Sequence, residues 1–352
     1  MIETLPEASR TEARVRAARE RLAPIAAEFP FEPRFFEHPD GVQQHYLDEG
    51  PRAREALLFV HGNPTWSFAW RRAIARLRTR VRCVAVDHVG CGLSDKPARY
   101  PYRLAQHVEN LERLCLALDV ERWTLVLHDW GGPIGLGFAR RHVDRVRRLV
   151  LMNTAGFPLQ GIAERAQPDA APHVRAAHPP PPTRPGETSG AAPGYPNSGY
   201  RIPRLPWRLA ACRLPLVGPL AVRGLNAFAR GALRMAVERP LPPVARRGYL
   251  LPYDSWQHRI ATHAFVTDIP LAPAHPSWSE LVAIEGSLSS FADRPVHLLW
   301  GERDWVFTPR FREEWQRRFP HATVTAYPRA GHYLFEDEAD AWLRDLEQVV
   351  AP

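Results

Sequence analysis

Three residues that could act as nucleophile, acid and base follow three separate apolar runs of the chain. Asp129 comes directly after residues 123–128 and is followed by two glycines within the next three residues, as at a sharp strand-to-helix turn. Asp304 follows a run that ends at Gly301, and His332 follows the next run. The chain order nucleophile, acid, histidine is that of a known class of catalytic triad. We therefore predict Asp129 as nucleophile, His332 as base and Asp304 as the acid behind it.

Each of these residues also has a simpler explanation when it is taken alone. An aspartate before a helix can be only an N-cap, and a lone histidine is most often structural. Leu127 stands where the usual motif has its first glycine, and Glu302 could replace Asp304 as the acid. The combination of three residues in the expected order favours the catalytic interpretation, and Asp304 has the better offset after its strand.

An aspartate nucleophile limits the reactions that the site could perform. A carboxylate that attacks a saturated carbon forms an alkyl ester, which water activated by histidine can hydrolyse, whereas serine would form an inert ether. The expected electrophile is an sp³ carbon or a strained ring, and the adjacent helix N-terminus should help to keep Asp129 ionised. Asn63 and the indole N–H of Trp130 could stabilise a departing anion, although Asn63 could be only a turn residue and Trp130 only core.

The pattern of apolar runs predicts the elements that position these residues. Two alternating runs flank Asp40-Gly41, a strong hairpin signal, so the sheet should begin antiparallel. Apolar runs at 56–60, 82–86, 123–128, 146–153, 295–301 and 322–327 alternate with helical segments such as 104–118. This alternation is typical of an α/β fold with a mostly parallel sheet flanked by helices.

The chain divides into a core and two additions. Residues 30–157 and 285–352 form the predicted core, and residues 158–284 form a predicted helical cap inserted between strands. Within the cap, residues 160–200 are rich in Pro, Ala and Gly, so we expect an extended or mobile segment. Residues 1–29 are predicted to form an Arg-rich helical extension.

Composition excludes several classes of function. The formal charge of +8 is spread along the chain and no basic run is interleaved with aromatic residues, which argues against nucleic-acid binding. The charge leaves open a weak attraction to an anionic membrane surface, peripheral to the inner membrane.

No apolar run predicts a spanning helix or a signal peptide, so we expect a cytoplasmic protein. The four cysteines lack metal-ligand spacing, and nothing in the sequence calls for a metal or an organic cofactor.

The motifs around these residues resemble those of haloalkane dehalogenases, which have the α/β-hydrolase fold with an eight-stranded sheet and a cap. The similar segments are HGNPTW from His61, HDWGG from His128, residues 87–95 and GHYLFEDE from Gly331. The resemblance implies that Asp129 is the nucleophile and His332 the base, and that Asn63 and Trp130 hold the leaving group. Dehalogenases with a glutamate acid after the sixth strand do not match, because Asn153 or Thr154 stands there.

Two further families share parts of this pattern. Epoxide hydrolases share HDWGG but use cap tyrosines, for which Tyr249 and Tyr253 are candidates. The cap is similar to that of the β-lactone decarboxylases of bacterial long-chain olefin biosynthesis, which convert cis-3,4-dialkyl-oxetan-2-ones to cis-alkenes and CO2. The similar cap segments are residues 225–228, 253–256, 259–260 and 268–271.

These resemblances make β-lactone decarboxylase the leading prediction and haloalkane dehalogenase the alternative. They imply a long-chain, lipid-like substrate, with substrate contacts predicted at Trp66, Phe157, Phe228 and Tyr333. They also imply partners in a multienzyme assembly, namely a thiolase, a reductase and a β-lactone synthetase. A hypothesis of another class is that the chain serves mainly as a scaffold or binding component of that assembly.

Overall fold

The computed structural model describes residues 7–159 and 205–350. The predicted mobile segment 160–200 lies outside the described residues. The strands are β1 (Arg34–Glu37), β2 (Gln43–Glu49), β3 (Glu55–Val60), β4 (Arg82–Val86), β5 (Arg122–His128), β6 (Val146–Met152), β7 (Val296–Gly301) and β8 (Thr323–Tyr327). The helices are α1 (Glu7–Leu22), α2 (Arg71–Leu77), α3 (Leu104–Ala117), α4 (Gly131–Arg141), α5 (Trp207–Ala211), α6 (Val217–Pro219), α7 (Ala227–Met235), α8 (Pro243–Leu250), α9 (Ile260–Thr267), α10 (Trp278–Ser287), α11 (Pro309–Arg318), α12 (Leu334–Asp337) and α13 (Ala339–Val350).

All eight strands form one sheet in the order β1-β2-β4-β3-β5-β6-β7-β8. β1 pairs antiparallel with β2, and β2 antiparallel with β4, whereas every later pair is parallel. The predicted hairpin turns at Gly41, whose positive φ of 80° suits a residue without a side chain. The predicted α/β-hydrolase fold and its antiparallel start are confirmed.

The central strands are buried on both faces because helices cover each side of the sheet. Alternate residues of β3 illustrate this: Leu58 and Val60 belong to the hydrophobic core on one face, and Leu57 and Phe59 to the core on the other. A parallel sheet covered on both sides needs such continuous apolar runs. The carboxyl ends of the parallel strands therefore meet at one edge of a rigid core, which is where α/β proteins place their sites.

The chain between β6 and β7 adds helices above this edge. Helices α5 to α9 of the predicted cap all belong to this insertion. The N-terminal helix α1 packs on the same body, since the Arg21 guanidinium donates to the carbonyl of Leu251 at 3.2 Å and to Asp254 at 2.8 Å. Phe29, which follows α1, is buried against Trp66. The predicted extension is thus anchored by both polar and apolar contacts.

No helix of the described ranges is long and apolar enough to cross a membrane. The four cysteines are free, and three of them are buried.

Candidate active site

Asp129 occupies a constrained turn between β5 and α4. Its φ of 51° lies in the left-handed region, which a non-glycine residue adopts only at some cost in strain. The neighbouring backbone comes very close, because a Cβ built on Gly62 would lie 2.1 Å from Asp129 Oδ1. The Thr154 hydroxyl donates to the carbonyl oxygen of Asp129 at 2.6 Å. The turn therefore holds the carboxylate at the carboxyl edge of the sheet in one orientation.

The two oxygens of the Asp129 carboxylate have different surroundings. Oδ1 accepts a hydrogen bond from the backbone N–H of Asn63 at 2.7 Å. Oδ2 faces His332, whose Nε2 lies 3.7 Å away. Since its contacts come from the loop after β3 and from the loop after β8, the side chain does more than cap the helix that follows it.

The side chain of His332 contacts that of Asp304, the residue predicted as the acid. His332 Nδ1 lies 2.7 Å from Asp304 Oδ2, and the backbone N–H of Val306 donates to Asp304 Oδ1 at 2.7 Å. The alternative acid, Glu302, instead accepts a hydrogen bond from Arg312 at 2.8 Å, away from the histidine. Of the two candidate acids, it is therefore Asp304 and not Glu302 that contacts the histidine.

Asn153 is part of this arrangement and was not predicted to be. Its side-chain amide donates to Asp304 Oδ2 at 2.9 Å, and its Oδ1 accepts from the backbone N–H of Gly301 at 2.8 Å. Asn153 stands at the end of β6, where the sequence was searched for an acid. The signal was a polar side chain at the carboxyl end of a buried strand, and its role is to hold the acid of the next strand.

Burial and neighbouring charges shift the pKa values of the reacting groups. Burial raises the pKa of the Asp129 carboxyl above its usual value, although His332 and the backbone N–H groups of Asn63 and Trp130 oppose this. The predicted help from the helix N-terminus is thus outweighed by loss of water. Burial alone would lower the pKa of His332, but Asp304 and Asp129 outweigh it, so that pKa is raised. Each member of the pair therefore favours the charged form of the other, against the effect of burial.

An apolar cavity of about 240 Å³ opens in front of the carboxylate. Asp129 and His332 lie in its wall together with Asn63 and Trp130, the two predicted leaving-group donors. The Asn63 amide already donates to the carbonyl of Thr262 at 3.0 Å, which leaves its second N–H for a ligand. Most of the remaining wall is aliphatic or aromatic and comes from the cap and from the loops that precede it.

Three of the four predicted substrate contacts line this cavity and one does not. Phe157, Phe228 and Tyr333 are part of its wall. Trp66 is fully buried elsewhere, because its indole N–H donates to the carbonyl of Gly248 at 3.0 Å and its ring packs on Phe29 and Phe68. The aromatic ring after the Asn-Pro-Thr loop therefore fixes the loop and the cap rather than the substrate.

The tyrosines considered for an epoxide hydrolase also have other partners. The Tyr249 hydroxyl donates to Glu336 at 2.6 Å, and the Tyr253 hydroxyl donates to the carbonyl of Thr65 at 3.0 Å. Neither tyrosine lines the cavity within the described ranges. The arrangement that would protonate an epoxide is thus not formed by these two residues.

Comparison with known proteins agrees with this geometry. A sequence model of the alpha/beta hydrolase fold matches residues 55–339. A cis-3-alkyl-4-alkyloxetan-2-one decarboxylase of Xanthomonas campestris is 38% identical over 318 residues, which cover 88% of this chain and 93% of the relative. The protein of the same name from Shewanella oneidensis is 38% identical over 91% of this chain and 89% of its own length.

Haloalkane dehalogenases are similar at greater distance. Haloalkane dehalogenase 2 of Mycobacterium tuberculosis is 29% identical over 89% of this chain and 92% of its own length. Among solved structures, a loop variant of a haloalkane dehalogenase from Bradyrhizobium elkanii superposes with a TM-score of 0.72 at 24% identity, over 90% of this chain and 95% of that one. At that identity the structural likeness establishes the fold.

Proposed function

Because this chain belongs to the alpha/beta hydrolase family, we propose that it is a β-lactone decarboxylase that converts cis-3,4-dialkyl-oxetan-2-ones to cis-alkenes and CO2. The observation that carries the proposal is an aspartate carboxylate paired with His332 at the wall of an apolar cavity. The full-length similarity to two decarboxylases supports the choice of substrate. We propose Asp129 as nucleophile, with His332 and Asp304 as its supporting pair.

The proposed reaction needs no water. Asp129 Oδ2 attacks the ring carbon that bears the ring oxygen, so a C–O bond to aspartate forms while the strained ring C–O bond breaks and releases a carboxylate. The C–C bond to that carboxylate then breaks, CO2 departs, and its electron pair forms the alkene as the ester oxygen returns to Asp129. Atoms and charge balance, and the enzyme is regenerated without hydrolysis.

The structure supplies groups suited to each part of this proposal. Oδ1 is held by the backbone N–H of Asn63, so Oδ2 is presented toward the cavity side of His332. The second amide N–H of Asn63 and the indole N–H of Trp130 could bind the released carboxylate, since both residues line the cavity. Protonated His332 would stabilise the carboxylate forms of both Asp129 and the intermediate.

Haloalkane dehalogenase remains the second candidate because the same groups would serve it. A halide would leave between Asn63 and Trp130, and His332 would then activate water to hydrolyse the aspartyl ester. The similarity to dehalogenases of Mycobacterium supports this alternative. The two functions differ in whether water is consumed.

Products decide between the two candidates. Purified protein would be incubated with a synthetic cis-dialkyl β-lactone and, separately, with 1-bromohexane, with alkene measured by gas chromatography and bromide by ion chromatography. We expect alkene from the lactone and none with Asp129→Ala. Bromide release without any alkene would refute the decarboxylase proposal and establish a dehalogenase.

Two wider expectations also stand as proposals. The first is a cytoplasmic role in hydrocarbon synthesis, with a lactone passed on by the enzymes that make it; the mostly apolar wall of the cavity suits such a lipid-like substrate. Native mass spectrometry of cell extracts tests the assembly with a thiolase, a reductase and a β-lactone synthetase. A protein found only as a free monomer would count against that assembly and against a scaffold role.

A further inference from the structure

The cap carries a cluster of large apolar side chains on its outer surface. We define the cap patch as Leu214, Leu216, Val217, Leu220, Leu225 and Trp256, all of them exposed. Leu216 is 86% exposed, Leu225 66% and Leu220 60%. Single exposed leucines are ordinary, but a contiguous group on one surface marks an interaction site.

Several members of the cap patch lie close together, since a Cβ built on Gly224 would lie 3.2 Å from Leu220 Cδ1 and 3.7 Å from Trp256 Cζ3. The backbone N–H of Leu220 donates to the carbonyl of Leu216 at 3.1 Å, and that of Leu225 donates to Leu220 at 3.0 Å. Trp256, from another part of the cap, is joined to this segment by Arg223, whose guanidinium lies 4.4 Å from the centre of the indole ring. These contacts place leucines and an indole side by side on one compact surface.

Leu216 is held outward by its backbone. Its φ of 63° lies in the left-handed region, which costs a leucine free energy that a glycine would not lose. A strained backbone that displays an apolar side chain to solvent gains nothing for the folded chain alone. Such a conformation is retained at sites that bind something.

The segment that carries most of the cap patch has charges of one sign. Residues 205–237 contain five arginines and no aspartate or glutamate. Arg208, Arg230 and Arg234 are exposed. Asp254, two residues before Trp256, is already bound by Arg21 at 2.8 Å and by His258 at 2.5 Å. A surface of leucines, an indole and unopposed arginines suits the apolar and anionic layers of a lipid surface.

The same segment forms part of the cavity wall. On α5, Trp207 is 74% exposed while Leu209 lines the cavity, so one short helix faces both solvent and substrate site. Arg208 and Cys212 also line the cavity, directly before the first leucine of the cap patch. An apolar ligand at this surface would therefore be close to the cavity wall.

We propose that the cap patch docks onto an anionic lipid surface, with its leucines and Trp256 in the acyl boundary and the nearby arginines on the headgroups. The docking surface is independent of which reaction the cavity performs. It predicts binding that falls as salt rises, because headgroup attraction is screened while the apolar contact is not.

Co-sedimentation of the full chain with lipid vesicles tests this proposal. Vesicles of phosphatidylglycerol with phosphatidylcholine would be compared with vesicles of phosphatidylcholine alone. We expect binding to the first at low salt and clearly weaker binding to the second. The double variant Leu216→Ser with Leu220→Ser should lose at least about tenfold in binding to the anionic vesicles, since two apolar side chains no longer enter the membrane.

A matched control uses exposed apolar residues outside the cap patch. Leu116 on α3 and Val282 on α10 are 47% and 42% exposed, and Leu116→Ser with Val282→Ser should bind like the wild type. A second variant, Leu225→Ser with Trp256→Gln, guards against misfolding of the first, and melting temperatures of all variants should agree. Absence of wild-type binding to anionic vesicles, or equal binding of the patch and control variants, would overturn the proposal. Self-association lost in the patch variant, without vesicle binding, would overturn it in favour of a second copy of the chain.

Discussion

The carboxyl edge of the sheet and the cap differ in how completely their side chains are engaged in contacts with other parts of the chain. At the sheet edge, Asp129, His332 and Asp304 each contact groups from other loops, and Asn153 holds the acid in place. The cap supplies an apolar cavity wall on one side and exposed leucines on the other. Under the proposed function, the core supplies the nucleophile and its supporting pair, while the cap supplies most of the cavity wall that would contact the substrate.

Removing the proposed nucleophile should have the largest effect on activity. Asp129→Ala leaves the cavity intact but removes the carboxylate, so turnover should fall by about 10⁴-fold or more because no covalent route remains. Steady-state alkene production measures this, with melting temperature as the check on folding. Substantial residual turnover would mean that the sheet edge does not determine the reaction.

Removing the charge behind the histidine should have the next largest effect. Asp304→Asn should lower kcat by about 10² to 10⁴-fold, because the imidazole loses its orienting carboxylate. The pKa of His332 is raised by Asp304, so the limb of the pH–rate profile that reports His332 should move to lower pH. Glu302→Gln is the matched control, since that carboxylate follows the same strand but pairs with Arg312. Equal losses in both variants would contradict the assignment.

Truncating the leaving-group donor should cost less. Asn63→Ala keeps the backbone N–H that holds Asp129 but removes the side-chain amide. The transition state should therefore lose about 2 to 4 kcal/mol of stabilisation, and kcat should fall accordingly. A change confined to KM would instead show that Asn63 acts through its contact with the cap at Thr262. Unchanged kinetics would remove Asn63 from the site.

A change in the cap wall should alter substrate preference and leave the chemistry intact. Phe228→Ala enlarges the cavity, so kcat/KM for long-chain lactones should change by about tenfold relative to short-chain lactones. Val282→Ala, at an exposed residue beside the cavity-lining Leu281, is the control. A uniform loss of kcat for all chain lengths would mean that the cap also takes part in the reaction.

An effect on stability, and not on turnover, is expected where core and cap stack. His107 of α3 packs on Phe265 of α9 with ring centres 4.5 Å apart, and burial lowers its pKa to about 3. The folded state favours the neutral form of His107. Its contribution to the free energy of unfolding is therefore fully present above pH 6.5 and is lost as pH falls, by up to about 1.4 kcal/mol per pH unit.

Urea unfolding at pH 7 and pH 5 would measure this loss. His107→Phe should make the dependence shallower, whereas replacing the exposed His321 by Gln should leave it unchanged. An identical slope in wild type and His107→Phe would show that other groups account for the acid sensitivity.

The strands, and the three residues that meet at the edge of the sheet, were predictable because their signals are local. Apolar runs that end in a polar residue identify β5, β7 and the positions of Asp129 and Asp304, and the chain order supplies His332. The sharp turn at Asp129 follows from a strand that must lead at once into a helix with glycines at its start.

The remaining features depend on contacts between distant segments. Nothing beside Asn153 in the chain indicates that it would hold Asp304, which is contributed by the strand after it. Trp66 was predicted to contact substrate, but its direction is set by Phe29 and the cap helix α8. The helix N-terminus was expected to help keep Asp129 ionised, but the larger effect of burial on its pKa depends on the assembled site.

The central claim, that the aspartyl intermediate collapses to alkene without hydrolysis, is tested most directly by turnover of a cis-dialkyl β-lactone in ¹⁸O-water. After many turnovers, mass spectrometry of the peptide containing Asp129 reports whether water has entered the carboxylate. The account predicts alkene and CO2 with no ¹⁸O in Asp129, because the bond between the alkyl carbon and the ester oxygen breaks and both carboxylate oxygens stay on Asp129. Incorporation of ¹⁸O into Asp129, with release of a hydroxy acid, would contradict it.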